Sequence, residues 1–174
     1  MQNPSKIISR DELRRRVAQW RRAGERIILT NGCFDLLHVG HVRSLRAAKA
    51  LGGRVIVAVN SDRSTRALKG RNRPVVPQWE RAEVMADLGD VDGVVIFGER
   101  DVTALIRELR PDIHAKGTDY RRGSVPEHDV VVECGGQVAI VGDRKRHSAS
   151  ALISKLAGKQ AMPARKRRST RARR

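Results

Sequence analysis

The chain of 174 residues has room for one domain, and its apolar content of 40% is enough for one hydrophobic core. Aromatic residues make up only 3%, so Val, Ile, Leu and Ala must build that core. No apolar stretch approaches the roughly 20 residues that cross a bilayer, and the N-terminus lacks the hydrophobic region of a secretion signal. With only two cysteines and therefore no disulfide framework, we expect a cytoplasmic protein that does not bind membranes.

The net charge is +17, and nearly half of it lies in the C-terminal residues 159–174. Residues 159–174 carry eight basic side chains and no acidic one, which leaves +9 on the rest of the chain. This tail has no apolar periodicity, so we expect it to be disordered and to follow a single domain over residues 1–158. It could contact nucleic acid or another anionic surface without sequence preference, or it could simply be a solubilising extension.

Short apolar runs alternate along the chain with helical patterns. A first helix is predicted over 9–23, where Ser9 and Glu12 match a capping box, and residues 68–77 are basic and proline-containing, which predicts a loop. Strands are predicted at 26–30, 54–60, 92–97, 113–117 and 137–141, and further helices at about 40–51, 78–88, 102–109, within 125–136 and at 148–156. This alternation predicts an α/β fold, a Rossmann-like, doubly wound parallel sheet of five strands within residues 26–158. In such sheets, ligands bind beyond the carboxyl ends of the strands.

The first predicted strand of the sheet leads into the run TNGCFDLLHVGHV, residues 30–42. If a helix begins here, His38 and His41 project from nearly the same face, and Gly40 lets a ligand approach the backbone. The helix N-terminus adds free N–H groups and the positive end of its dipole. Two imidazoles and a helix N-terminus together form a socket for anionic oxygen, and phosphate is the obvious ligand.

Three other interpretations of this run remain open. The two histidines could have no functional role. A zinc site could use Cys33, His38 and His41, although no fourth nitrogen or sulfur ligand is evident nearby. A dinucleotide site would need the pattern G-x-G-x-x-G in the first turn, which this turn lacks.

The H-x-G-H pattern in this run resembles the signature of the cytidylyltransferase-like nucleotidyltransferases. The longer run GCFDLLHVGHVRSLRAAKALGGRVIVAVNSD is similar to the bacterial heptose-1-phosphate adenylyltransferases, which make ADP-heptose. Four later blocks resemble that family in the same order: LKGRNRP, ERAEVMADLGDVDGVVIF, PDIHAKGTDY and SASALISKL. The resemblance covers roughly residues 7–157.

The resemblance implies a reaction in which a sugar-1-phosphate oxygen attacks the α-phosphorus of a nucleoside triphosphate and expels pyrophosphate. Catalysis would then consist of positioning and charge stabilisation, with Mg²⁺ held mostly by substrate oxygens and water rather than by protein ligands. The implied catalytic residues are His38, His41 and Lys69. The implied nucleotide-binding residues are Asn31, Gly32, Cys33, Phe34, Asp35, Gly40, Lys116, Gly117, Asp119, Ser148 and Ser150. The implied acceptor-binding residues are Asn60, Asp62 and Arg81.

Some of these residues have an ordinary alternative explanation. Lys69 and Arg81 could be solvated surface charges, and Asp119 could be a turn residue. The last block also departs from the family, since related enzymes carry Ser-Thr-Thr where this chain has Ser-Ala-Ser at 148–150. Any of three neighbouring cations could replace a family cation there: Arg144, Lys145 or Arg146.

We expect ATP and heptose 1-phosphate as the substrates. A separate sugar kinase would have to supply the sugar phosphate, because a chain of 174 residues has no room for one. CTP with glycerol 3-phosphate is the nearest alternative, and it keeps the same chemistry. The alternative from another functional class is a protein that binds nucleic acid through the tail. The small number of aromatic residues argues against it, because single-stranded nucleic acid binds by stacking its bases on aromatic side chains. A homodimer is a further possibility, since relatives are often dimers and residues 75–88 offer an apolar face. A helix packed against the core would explain that apolar face equally well.

Overall fold

The computed structural model describes residues 6–121, 124–143 and 152–153. Within them, the helices are α1 Arg10–Arg22, α2 Val39–Lys49, α3 Asp62–Lys69, α4 Gln78–Ala86, α5 Thr103–Leu109 and α6 His128–Glu133. The strands are β1 Ile27–Gly32, β2 Arg54–Asn60, β3 Gly93–Phe97, β4 Ile113–Gly117 and β5 Gln137–Val141. In this part of the chain, no helix combines the length and apolarity that crossing a bilayer requires.

Several predictions concern residues outside the described ranges. The basic run 144–146, Ser148, Ser150 and the tail at 159–174 all lie there, and so does the predicted domain boundary at 158. Of the helix predicted at 148–156, only Leu152 and Ile153 are described, and both are helical.

The five strands form one parallel sheet in the order β3-β2-β1-β4-β5. This confirms the predicted Rossmann-like, doubly wound fold. The chain moves outward from β1 to β2 and β3 on one side, and β4 and β5 then lie on the other side of β1. The strand order therefore reverses between β1 and β4, and a crevice opens at their carboxyl ends.

Two apolar layers cover the two faces of the sheet. Residues 27–29 and 55–59 in the central strands are fully buried, as expected for parallel strands covered on both sides. One layer includes Leu29 and side chains of α1, α5 and α6, and the other includes Ile28 and side chains of α2 and α4. Because side chains alternate along a strand, Asn31 lies on the same face as Leu29.

Helix α3 was not predicted. The hydroxyl of Ser61 caps it by accepting from the backbone N–H of Ser64 at 3.1 Å, and Asp62 stands in its first turn. Its buried side chains are Ser64 and Thr65 rather than apolar residues. The helix therefore begins directly at the carboxyl end of β2 and carries Lys69 to its last turn.

The capping box predicted for α1 forms differently from expectation. The Ser9 hydroxyl accepts from the backbone N–H of Glu12 at 3.2 Å, as predicted. The Glu12 carboxylate pairs instead with Arg15 and Arg16, at 2.6 and 3.0 Å. Two cations one turn further along the helix attract the carboxylate away from the Ser9 amide.

Candidate active site

A cavity of about 560 Å³ opens at the carboxyl ends of β1 and β4. Most of the predicted site residues line it: Asn31, Gly32, Cys33, Phe34, Asp35, His38, Gly40, His41, Asn60, Lys69, Lys116, Gly117 and Asp119. Asp62 and Arg81 are not among the described residues that line it. The lining also contains residues that were not among the predicted site residues: Thr30, Ser44, Leu45, Leu68, Arg73, Arg100, Asp101, Thr118, Tyr120, Pro126, Glu127 and Asp143.

His38 and His41 form a stacked pair at the start of α2. Their ring centroids are 3.9 Å apart, and the backbone N–H of His38 donates to Nδ1 of His41 at 3.4 Å. Because Nδ1 of His41 accepts this bond, the proton of the neutral ring must be on Nε2. The Nε2–H of His41 is therefore the donor available to a ligand.

The His41 ring is neutral near pH 7. Burial and the adjacent His38 ring lower the pKa of His41 to about 4. The edge of the Phe34 ring packs against it, with centroids 5.3 Å apart and an angle of 63° between the planes. The turn thus presents hydrogen-bond donors and the positive end of a helix dipole rather than a pair of imidazolium charges.

Gly40 is required by the packing of the histidine pair. A Cβ added at this position would lie 2.9 Å from Nδ1 of His38, which is closer than real Cβ contacts come. Any larger residue would therefore displace the His38 ring. This gives Gly40 a role in placing a site residue, in addition to the predicted approach of a ligand to the backbone.

Asp35 anchors the segment that follows α3. Its carboxylate is buried and accepts from the backbone N–H groups of Val75 and Val76, at 2.7 and 3.0 Å, and from Nε of Arg73 at 2.5 Å. Burial acts to raise the pKa of Asp35, but the hydrogen bonds from Val76, Arg73 and Val75 outweigh it and lower the pKa. The ionised carboxylate thereby holds residues 73–76 against the histidine-containing turn.

Arg81 lies beneath the cavity and joins three segments of the chain. It is only 1% exposed, which excludes the alternative of a solvated surface charge. Its Nε donates to the carbonyl oxygen of Val76 at 2.8 Å, one terminal nitrogen pairs with Asp62 at 2.7 Å, and the other donates to the carbonyl oxygen of Cys33. The structure thus gives Arg81 and Asp62 partners within the protein, and their contact with an acceptor stays a prediction.

The other predicted residues lie at different depths. Asn60 is buried at the end of β2, and its amide donates to the Ser64 hydroxyl at 2.9 Å. Lys69 and Asp119 are exposed on the rim of the cavity. Next to Asp119, the Thr118 hydroxyl donates to the carbonyl oxygen of Asp143 at 2.7 Å, which joins the loops that follow β4 and β5.

A second polar cluster lies where β1 and β4 meet. Nε2 of His114 and Nζ of Lys116 lie 3.1 and 3.0 Å from Oδ1 of Asn31, and Lys116 also pairs with Glu127 at 3.3 Å. Burial and the Lys116 charge lower the pKa of His114 to about 3, so this ring is neutral. Burial also lowers the pKa of Lys116, and Glu127 opposes that effect. Sequence reasoning named Asn31 and Lys116 but missed His114 and Glu127.

No metal-binding cluster exists in the part of the chain that the structure describes. No group of three or more His, Cys, Asp or Glu side chains there could hold a metal ion. Asp35, the most deeply buried carboxylate in the lining, is already occupied by two backbone donors and a guanidinium. A cation in this cavity would depend mainly on oxygen atoms that a ligand brings with it.

Comparison with known proteins identifies relatives of this chain. Residues 29–174 match the family model described as Cytidylyltransferase-like. The chain is 50% identical over 151 residues to bifunctional protein HldE of Koribacter versatilis, an alignment covering 87% of this chain and 31% of the relative. It is 47% identical over 152 residues to bifunctional protein HldE of Methylobacillus flagellatus, covering 87% of this chain and 31% of that one. The chain therefore spans about a third of the length of these curated relatives.

Two solved structures share the architecture. The lipopolysaccharide core biosynthesis protein from Thermoplasma volcanium superposes with a TM-score of 0.61 at 26% identity, covering 70% of this chain and all (100%) of that one. A protein of unknown function from Archaeoglobus fulgidus gives a TM-score of 0.51 at 24% identity, covering 68% of this chain and 99% of that one. The second of these shows a likeness of fold alone.

Proposed function

The chain belongs to the cytidylyltransferase-like family of nucleotidyltransferases, and we propose that it transfers adenylate from ATP to D-glycero-β-D-manno-heptose 1-phosphate. The products would be ADP-heptose and pyrophosphate. The observation that carries the proposal is the stacked pair His38–His41 at a helix N-terminus inside a cavity at the reversal of strand order. The choice of substrates is supported by the ordered blocks that resemble heptose-1-phosphate adenylyltransferases and by the identity to bifunctional protein HldE.

In the proposed reaction, one bond forms and one breaks at the α-phosphorus of ATP. An oxygen of the sugar phosphate attacks, and the bond from the α-phosphorus to the oxygen that bridges to the β-phosphate breaks, so that pyrophosphate leaves with the bonding electrons. The Nε2–H of His41, the His38 ring and the first backbone N–H groups of α2 would donate to the phosphate oxygens. Lys69 on the rim of the cavity would add positive charge.

Mg²⁺ fits this site as a cation carried in with the triphosphate. When bound, it supplies charge neutralisation on the phosphates. The described residues contain no cluster that could hold a metal, which is compatible with coordination mainly by phosphate oxygens and water. The residues of the chain would then position ATP rather than the metal itself.

Partners remain part of the proposal. We propose that a sugar kinase supplies heptose 1-phosphate and that the reaction takes place in the cytoplasm, where ATP is available. A homodimer would use the outer face of α4, since Trp79 is 64% and Val84 is 43% exposed. Ala82, Met85 and Ala86 lie on the other face of α4 and are buried in the core. Helix α4 therefore has apolar residues on a core-facing side and on an exposed side. Contact of the tail with nucleic acid stays a prediction.

A substrate screen tests the proposal. The protein is incubated with MgATP or MgCTP and with heptose 1-phosphate or glycerol 3-phosphate, and pyrophosphate release is measured for each pair. We expect turnover with ATP and heptose 1-phosphate. Turnover with CTP and glycerol 3-phosphate alone would keep the reaction class and overturn the substrates. Absence of pyrophosphate from every pair would overturn the reaction itself.

A further inference from the structure

We propose that His114 and Lys116 are positioning residues that hold the Asn31 amide with its two N–H donors facing the cavity, where they bind an oxygen of the nucleotide. The inference rests on the proposed function, because it requires a nucleotide in this cavity. It extends that function to His114, a fully buried residue that is not among the described lining residues.

The orientation of the Asn31 amide follows from its two neighbours. Nζ of Lys116 lies 3.0 Å from one terminal atom of Asn31, and an ammonium group can only donate, so that atom must be the oxygen Oδ1. Nε2 of His114 lies 3.1 Å from the same oxygen, so this nitrogen must carry the ring proton. With its oxygen engaged by two donors, the amide turns its NH₂ group away from both, and Asn31 lines the cavity.

The three side chains meet because of their register in the sheet. His114 pairs with Leu29 across β4 and β1, and Asn31 lies two residues beyond Leu29 on the same face. Lys116 lies two residues beyond His114 and is only 7% exposed. Adjacent parallel strands thus place all three polar groups side by side at the crevice between β1 and β4.

Burying these charged and polar side chains costs folding free energy, which indicates that the cluster has a role other than packing. Burying a lysine and a glutamate costs desolvation free energy that their mutual attraction only partly recovers. The Nδ1 atom of His114 is buried with no hydrogen-bond partner among the described residues, which adds a further cost. The feature that His114 and Lys116 share is the single oxygen on which both converge, Oδ1 of Asn31.

Fixing this amide matters for binding an anion. A freely rotating asparagine presents its oxygen to a phosphate oxygen as readily as its N–H groups, and two acceptor oxygens repel each other. Two donors on Oδ1 exclude that orientation before the nucleotide arrives, so no reorientation is needed on binding. Glu127 compensates the charge of Lys116 at 3.3 Å. The group that the cluster holds towards the cavity is the Asn31 amide, a neutral donor.

A double-mutant cycle tests the proposal. Binding of MgATP and of MgCTP is measured by calorimetry for wild type, Asn31→Ala, His114→Leu and the double variant, and the nucleotide that wild type binds more tightly is carried through. We expect Asn31→Ala to weaken binding about tenfold, the order of one hydrogen bond. His114→Leu should weaken it severalfold but by less than Asn31→Ala, because Lys116 still donates to Oδ1. The double variant should bind no more weakly than Asn31→Ala, because His114 acts only through Asn31. Additive losses, with the double variant severalfold weaker than Asn31→Ala, would overturn the proposal.

Two further variants separate positioning from packing. His114→Gln retains an N–H at about the place of Nε2 and should restore binding to within about threefold of wild type, whereas a purely structural role predicts no such rescue. Asn31→Asp keeps the oxygen that accepts from Lys116 and His114 but removes the NH₂ group, so it should fold and bind the nucleotide weakly. Wild-type affinity in Asn31→Asp would show that the NH₂ group does not contact the nucleotide, against the proposal.

The binding assay also separates this inference from the proposed function. It requires no acceptor, so a wild-type chain that binds nucleotide but releases no pyrophosphate with heptose 1-phosphate counts against the acceptor alone. A wild-type chain that binds neither MgATP nor MgCTP would overturn both the proposed function and this inference. Nucleotide binding by wild type with an additive cycle would overturn only the inference.

Discussion

The buried ring of His114 should make the folded protein sensitive to acid. Burial and the neighbouring Lys116 lower the pKa of His114 to about 3, whereas a histidine in an unfolded chain has a pKa near 6.5. Between these values the unfolded chain binds more protons than the folded one. The free energy of unfolding must therefore fall as the pH falls from about 6.5 towards 3.

The size of this effect follows from the gap between the two pKa values. At 1.36 kcal/mol for each pH unit, the gap corresponds to roughly 5 kcal/mol below pH 3, of which roughly 3 kcal/mol is already lost between pH 7 and pH 4. His114 is fully buried, so solvent does not screen the cost of charging it. A loss of this size is a large fraction of the roughly 5–15 kcal/mol that stabilises a typical domain.

The variant His114→Leu removes the titrating group and fills the same space. Urea unfolding is followed by circular dichroism at pH 7, 5.5 and 4 for wild type and variant. Wild type should lose roughly 3 kcal/mol more than the variant between pH 7 and pH 4, since the carboxylates contribute equally to both. His128→Leu, at a ring that is 41% exposed and contacts Asp129 at 3.0 Å, is the control for a histidine outside the core, and it should follow wild type much more closely than His114→Leu does. Equal pH dependence in all three proteins would refute the reasoning.

Three other predictions address the site and the tail. His38→Ala should lower the rate of pyrophosphate release about 10²-fold, as loss of a donor to the transition state does, and unchanged turnover would remove its role. Asp35→Asn should lower the free energy of unfolding at pH 7 by about 3 kcal/mol in urea titrations, because it leaves the Arg73 guanidinium without its buried partner. Since the pKa of Asp35 is lowered on folding, this difference should persist at pH 5 and shrink only below about pH 4; a constant difference down to pH 3 would contradict it. Deleting residues 159–174 should leave pyrophosphate release unchanged and abolish any salt-dependent affinity for RNA, and RNA binding that survives the deletion would place that affinity on the folded domain.

Local sequence patterns predict most of this fold because strands and helices here have clear periods. The run at residues 54–60 is apolar from Val55 to Val59 and forms β2 over residues 54–60. Helix α3 escaped prediction because it buries Ser64 and Thr65, which bond to neighbouring polar groups, instead of an apolar stripe. Only the N-cap at Ser61 signalled it, and a cap alone is a weak signal.

The site was predictable where it is local in the chain and unpredictable where it is assembled across the chain. The pair His38 and His41 lies within one helical turn, so spacing alone reveals it. The bond between Asn31 and His114 joins residues 83 positions apart, and it depends on the β1–β4 register, which no local pattern contains. The burial of Arg81 did have a signal, since it lies four residues before Met85 on the buried face of α4.

The placement of the turn that contains His38 and His41 depends on a closed ring of interactions that no single residue explains. Val76 donates its N–H to Asp35 and accepts from Arg81 through its carbonyl oxygen, while Arg81 also donates to the carbonyl oxygen of Cys33, two residues before Asp35. The segment at residues 73–76 is thus tied twice to the turn that precedes α2, once through a buried anion and once through a buried cation. Without the Asp35 carboxylate, the N–H group of Val76 would lose its acceptor. Without the Arg81 guanidinium, the carbonyl oxygens of Val76 and Cys33 would lose this donor. Either loss costs free energy in a buried site. The positive φ of 46° at Phe34, between Cys33 and Asp35, lies inside this ring, so the ring holds the unusual backbone that leads into the histidine pair.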